Sequence, residues 1–203
     1  ADMYRETIEH PWSIPETIKK HLDLNSGNDR GRIWRIAPKG FKPPKRDYPA
    51  AFNGPQLVKL LAHPNGWHRD TAARLIYEQQ KRTVIPALEK LAADRTQPLG
   101  QIHALWALRG LGALKAGHVL GALKNGTAAV RVQAMQLAED FVKDANVVRA
   151  VFARVDNPDR NILFQLALTA SRFPASEEKS LALAMALAHA KGDRWIEAAV
   201  MNA

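Results

Sequence analysis

An all-α fold, an α-α solenoid of about five two-helix units, is what this sequence predicts, on three observations. Small or apolar anchors recur in the second helix of each unit, at Ala72, Ala104, Ala134, Leu163 and Ala198, spaced 32, 30, 29 and 35 residues apart. That period lies in the range of helix pairs that cannot bury an apolar face alone and stack to make a continuous core. Turn-forming prolines at Pro64, Pro98 and Pro158 divide one helix from the next. Finally, residues 102–111 are apolar on two sides, with Ile102, Leu105 and Trp106 on one stripe and Ala104, Ala107, Leu108 and Leu111 on another. A helix of that kind is sandwiched between neighbours. Stacked helix pairs make surfaces for holding partners, and catalysis would have to be grafted onto them.

The first fifty residues follow other rules. Ser13-Ile14-Pro15-Glu16 has the spacing of a capping box, and Pro15 suits a first helical turn. A short helix over residues 14–24 is expected to follow, closed by the turn-rich Asn25-Ser26-Gly27-Asn28-Asp29. Residues 31–36, Gly-Arg-Ile-Trp-Arg-Ile, alternate in the manner of a strand. Residues 38–49 hold four prolines and four basic residues and read as an extended linker. The expected organisation is therefore a short irregular or β segment with one short helix over 1–37, a linker over 38–52, and helical repeats over 53–203.

The five units follow in order. The first pairs helices over 56–62 and 68–79 across His63-Pro64-Asn65-Gly66, and the second pairs 83–93 with 99–111 across Thr96-Gln97-Pro98. The third pairs 116–123 with 128–142 across Lys124-Asn125-Gly126-Thr127, and the fourth pairs 147–154 with 160–173 across Asp156-Asn157-Pro158. The fifth joins 177–190 to 194–201 through Lys191-Gly192-Asp193. In each break, Pro, Gly or a capping side chain stops one helix and starts another.

This layout resembles HEAT repeats. The resemblance rests on the helix-turn-helix period, the turn prolines, and an Arg three residues before the anchor in Arg69, Arg131 and Arg160. Gln101 and Trp195 depart from that Arg. It covers about three quarters of the chain and implies a fold more than a chemistry.

A second resemblance lies at the N-terminus. The string from Met3 through Glu9-His10-Pro11-Trp12 to Pro15, followed by Gly27-Asn28-Asp29-Arg30-Gly31-Arg32-Ile33-Trp34-Arg35-Ile36, is similar to the end of a β-propeller of the membrane-bound dehydrogenase type. That group includes sorbosone and aldose-sugar dehydrogenase-like proteins of planctomycete-like bacteria. There a propeller is followed by HEAT-like repeats and a cytochrome c module. The resemblance implies that residues 1–37 close a propeller and that the parent is an exported, periplasmic sugar-type dehydrogenase. Its cofactors would be a quinone and haem c, with the haem cysteines beyond Ala203. A chain that opens on Ala1, inside what reads as a strand, is likewise expected to be part of something longer.

Composition narrows the chemistry. There is no cysteine, which excludes disulfides, thiolate metal sites, a Cys nucleophile and covalent haem attachment in this chain. No apolar run approaches the roughly 18 residues of a membrane span, and the N-terminus lacks the layout of a signal peptide. Lys and Arg outnumber Asp and Glu by 29 to 20, giving +9. The excess is +3 in each of the first three fifty-residue blocks and zero after Ala150. So even a spread differs from a basic nucleic-acid arm, though it permits a long-range positive field.

Candidate site residues fall into two groups. Arg5, Glu6, Glu9 and His10 could line a propeller channel, with His10 as base and Arg5 as anion clamp, or form a blade-closing ion-pair network. The network is the favoured reading. Arg69, Arg131 and Arg160 could present guanidinium groups to a partner or to phosphates, as HEAT-like DNA glycosylases do, or could bond turn carbonyls or a neighbouring Asp, such as Asp156 or Asp159, and tie repeats together. Their place before a buried anchor favours the tie. The seven His show no metal-ligand spacing, and His68-Arg69-Asp70 mimics a kinase triplet without its strand context. Trp67, Trp106 and Trp195 are expected to pack within repeats. The expected function is a non-catalytic repeat module that links a propeller to a haem domain or docks a protein partner. The alternative is a nucleic-acid-binding HEAT protein, glycosylase-like in its chemistry.

Overall fold

A computed structural model of the protein describes residues 11–42, 52–156 and 159–203. The chain divides into two units, Ala1–Arg46 and Asp47–Ala203, a division that falls within residues 38–52. No strand occurs among the described residues.

The described part of the first unit is mostly turns. A 3-10 turn, Pro11–Ser13, precedes α1, Glu16–Lys19. The predicted capping box does not form: Ser13 is taken up in the 3-10 turn, Pro15 stands at the N-cap, and no side chain caps the helix. Glu16 pairs instead with Lys19, one turn on. The helix is shorter than the expected 14–24, and Asp23 accepts the Asn25 amide at 2.9 Å to begin the following turns. Residues 31–36 are a single bridge at Arg32 followed by irregular backbone, not a strand. Alternation alone makes no strand where no ladder exists to complete it. Arg32 lies over the Trp34 ring at 5.0 Å and Arg35 over Phe41 at 5.6 Å.

The second unit is an all-α solenoid of five helix pairs. They are α2 (Gly54–Leu60) with α3 (Gly66–Glu78), α4 (Ile85–Ala93) with α5 (Pro98–Gly110), and α6 (Ala116–Asn125) with α7 (Ala128–Ala138). The last two are α8 (Ala145–Phe152) with α9 (Arg160–Ala170), and α10 (Glu177–Ala190) with α11 (Arg194–Met201). First helices stack in the order α2, α4, α6, α8, α10, and second helices in the order α3, α5, α7, α9, α11. The core lies between the layers and runs without interruption from Leu57 to Ile196. Helix α5 touches α3, α4 and α7, which explains its two apolar stripes.

Caps set the true register. The second helices begin at Asn65, Gln97, Thr127, Asp159 and Asp193, spaced 32, 30, 32 and 34 residues. Four of these five side chains accept amides of the first turn, for example Asp159 from Asn161 at 2.9 Å and Ile162 at 3.2 Å. In this register Ala72, Ala104 and Ala134 share the seventh place after the cap, and all are fully buried. Leu163 is buried but sits one turn early, and Ala198 is exposed. The fifth helix buries Ile196 and Ala199 instead. At the end of α5 the chain turns through Gly112 (φ +62°), while the Ala113 amide reaches Leu108 O at 2.8 Å. Gly112, rather than Gly110, is therefore the residue that needs the left-handed backbone.

Candidate interaction face

The cap register reassigns the three arginines. Arg69 and Arg131 occupy the fourth place after their caps, and Gln101 occupies the same place in α5. All three reach carbonyls left open where the first helix of their own repeat ends. Arg69 Nη1 donates to His63 O at 2.6 Å and Pro64 O at 2.8 Å. Gln101, 3% exposed, donates to Ala92 O at 3.0 Å, and Arg131 donates to Lys124 O at 3.2 Å. Gln101 thus does the work of the arginine it appeared to lack. Arg160 is the first residue of α9, and pairs with the Asp193 cap of the next repeat at 3.0 Å. The candidate Arg5, Glu6, Glu9 and His10 cluster lies outside the described residues.

Between repeats, polar side chains of successive second helices meet. Arg69 Nε donates to His103 Nε2 at 3.1 Å, and Trp106 Nε1 to Gln133 Oε1 at 2.8 Å. Arg109 forms a two-pronged bond with Asp140, at 2.6 and 2.9 Å. Gln136 donates to Gln165 at 3.0 Å, Gln165 to Thr169 at 2.9 Å, and Thr169 to Glu139 at 3.1 Å. Apart from the Gln165–Thr169 bond within α9, these bonds join residues 27 to 34 apart in sequence, so only a set register brings them together. Burial and the Arg69 charge hold His103 below its ordinary value, with Asp70 opposing.

The first-helix side carries a small groove between α4 and α6 that the sequence did not announce. A cavity of about 150 Å³ is lined by Glu89, Arg95, Gln101, Gly117, His118 and Gly121 among others. Lys115 Nζ binds Glu89 at 2.7 Å, and the Lys115 amide donates to His118 Nδ1 at 3.1 Å. His118 Nε2 then lies 3.4 Å from the same carboxylate. The Lys115 bond holds the Glu89 carboxyl below its usual range, and burial pushes His118 down against the pull of Glu89. The three groups satisfy one another across the repeat boundary. The ring pair His63–His68, 4.3 Å between centroids, adds no metal centre: among the described residues no group of three or more His, Asp or Glu could hold one. No helix among them is long and apolar enough to cross a membrane.

The exposed large hydrophobic residues of this unit are unevenly placed. Among the described residues, seven of nine lie on second helices: Trp67 and Tyr77 on α3, Leu99 on α5, Phe164 and Leu168 on α9, Trp195 and Met201 on α11. The other two, Leu181 and Leu187, are both on α10, and α2, α4, α6 and α8 carry none. Trp67, at 58%, and Trp195, at 63% exposed, do not pack within their repeats as the sequence suggested, whereas Trp106 is held by Gln133.

Comparison with known proteins bears on the first unit. Residues 1–40 match the model of a family described as a domain of unknown function (DUF7133). That segment contains the residues carrying the propeller-end resemblance, and its description names no activity. No curated protein and no solved structure matches the chain.

Proposed function

We propose that this protein is a non-catalytic helical-repeat module that holds another protein on its second-helix side. The supporting observation is the placement of seven exposed large hydrophobic residues on α3, α5, α9 and α11 while the first helices up to α8 present none. Aromatic side chains are enriched in protein interfaces, where a rigid ring covers much area at small entropic cost. The resemblance of residues 3–36 supports a parent in which the module spaces a sugar-type dehydrogenase propeller from an electron-accepting haem domain, in an exported protein. With no cysteine here, haem c would be carried by another part of that parent. The arginines support this over a nucleic-acid partner. Arg69 and Arg131 spend donors on helix-end carbonyls, and Arg160 on Asp193.

Photo-crosslinking side chains placed at Trp67 and Trp195, with Lys59 and Lys124 on the first helices as controls, test this in producing cells. Protein adducts are expected from the second-helix positions alone. Equal yields from both sides, or adducts to nucleic acid, would overturn the proposal.

A further inference from the structure

Helix α10 differs from every other first helix in carrying large apolar side chains on its outward face: Leu181 is 62% and Leu187 42% exposed. Its inward face is made of Ala182, Ala186 and Ala190, all buried. Opposite them, at 100° per residue, Glu177, Ser180, Leu181, Ala184, Leu187 and Ala188 fall within a stripe about 120° wide centred on Ala184, and the exposed C-cap Lys191, in left-handed backbone, follows at its end. All six are exposed. The stripe is symmetric about Ala184: Leu181 and Leu187 lie three residues to either side, Glu177 and Lys191 seven. Its ends are opposite in charge, and neither Glu177 nor Lys191 has a salt bridge among the described residues.

We infer that α10 pairs antiparallel with α10 of a second copy of this chain, about a two-fold axis at Ala184. Reversal about that point sets Leu181 of one copy against Leu187 of the other, Ala184 against Ala184, and Glu177 against Lys191. A seam complementary to itself on reversal is what a two-fold interface requires. The small central residue lets the axes approach to the close end of the usual 8–10 Å. Antiparallel alignment also sets the helix dipoles head to tail. A 14-residue helix is about 21 Å long, so the seam falls short of the roughly 800 Å² per partner of a standard interface. The dimer is therefore weak, with a dissociation constant on the order of tens of micromolar.

Sedimentation equilibrium of the 203-residue chain, from about 1 to about 500 μM, tests this. A monomer–dimer equilibrium is expected. Leu181→Asp and Ala184→Arg should each weaken it on the order of tenfold or more. Glu177→Lys should weaken it about two- to fivefold, and adding Lys191→Glu should restore it. Since these side chains are exposed, far-UV circular dichroism and melting of every variant should match the parent. A monomer at the highest concentration, an assembly larger than a dimer, a dimer indifferent to Leu181→Asp and Ala184→Arg, or a charge exchange that fails to restore association would each overturn the pairing.

Discussion

Replacing Thr169 by Val tests whether polar bonds lock the third repeat to the fourth. Thr169 is fully buried and Gln165 is 8% exposed. The Thr hydroxyl accepts from Gln165 Nε2 at 2.9 Å and donates to Glu139 Oε1 at 3.1 Å. Valine keeps the shape and removes both bonds, leaving the buried Gln165 amide without its acceptor. Glu139 loses less, being partly exposed and near Arg172 at 3.9 Å. An unsatisfied buried donor costs about 1–3 kcal/mol, against which the new methyl returns up to ~0.8 kcal/mol. The expected loss is about 1–2 kcal/mol, or a melting point lower by roughly 2–8 °C for a chain of this size. Gln165→Met removes the same bond from its other end. The double variant should therefore lose about 1 kcal/mol less than the sum of the two singles. Urea unfolding followed by far-UV circular dichroism measures all four proteins. Strict additivity, or a Thr169→Val loss below about 0.3 kcal/mol, would refute the claim that these groups act as one chain.

Two further outcomes follow from the same structure. A Cβ at Gly126 would stand 2.6 Å from Ala122 O and 2.5 Å from Val130 Cγ1, so Gly126→Ala should cost about 1–3 kcal/mol in chemical denaturation, whereas Gly121→Ala, with open space, should not destabilise. His103 and His118 are both held below the ordinary value of 6.5 by burial. Below 6.5 the unfolded chain binds more protons at these sites than the folded one, so their stabilising effect is present above that pH and lost as pH falls. Melting temperature should decline from pH 7 towards pH 5, and a His103→Gln/His118→Gln variant should decline less; an unchanged slope would exclude these residues as the cause.

Much of the repeat architecture is legible in the sequence because its punctuation is chemical. Asp193 and Ser176 cap α11 and α10, and the expected bounds 194–201 and 177–190 are those observed. The anchor register was less legible, since buried positions recur every three or four residues and apolarity alone cannot separate Leu163 from Leu166, both fully buried. Caps carry that information, as one side chain must meet particular amides. The arginines show another limit: the main-chain carbonyls that Arg69 and Arg131 reach have no side-chain signature, and Arg160 meets an Asp of the next repeat, 33 residues on. The Glu89, Lys115 and His118 groove brings together groups 26 residues apart by stacking α6 on α4, which no local pattern encodes. At Ser13 and over 31–36 the local signals were present, but the surrounding turns used the backbone otherwise.

No two boundaries between successive second helices carry the same set of bonds. Arg meets His at the first boundary, Trp meets Gln and Arg meets Asp at the second, Gln meets Gln and Thr meets Glu at the third, and Arg meets Asp at the fourth. Units of near-equal length with interchangeable alanine and leucine surfaces would otherwise stack in any order, or exchange between molecules. A wrong neighbour would leave the half-buried Trp106 indole N–H or the buried Gln165 amide without its partner, at a cost of about 1–3 kcal/mol each. The order of the repeats is therefore written partly in these polar pairs: a repeat excised, duplicated or transplanted would meet a neighbour that does not answer its side chains.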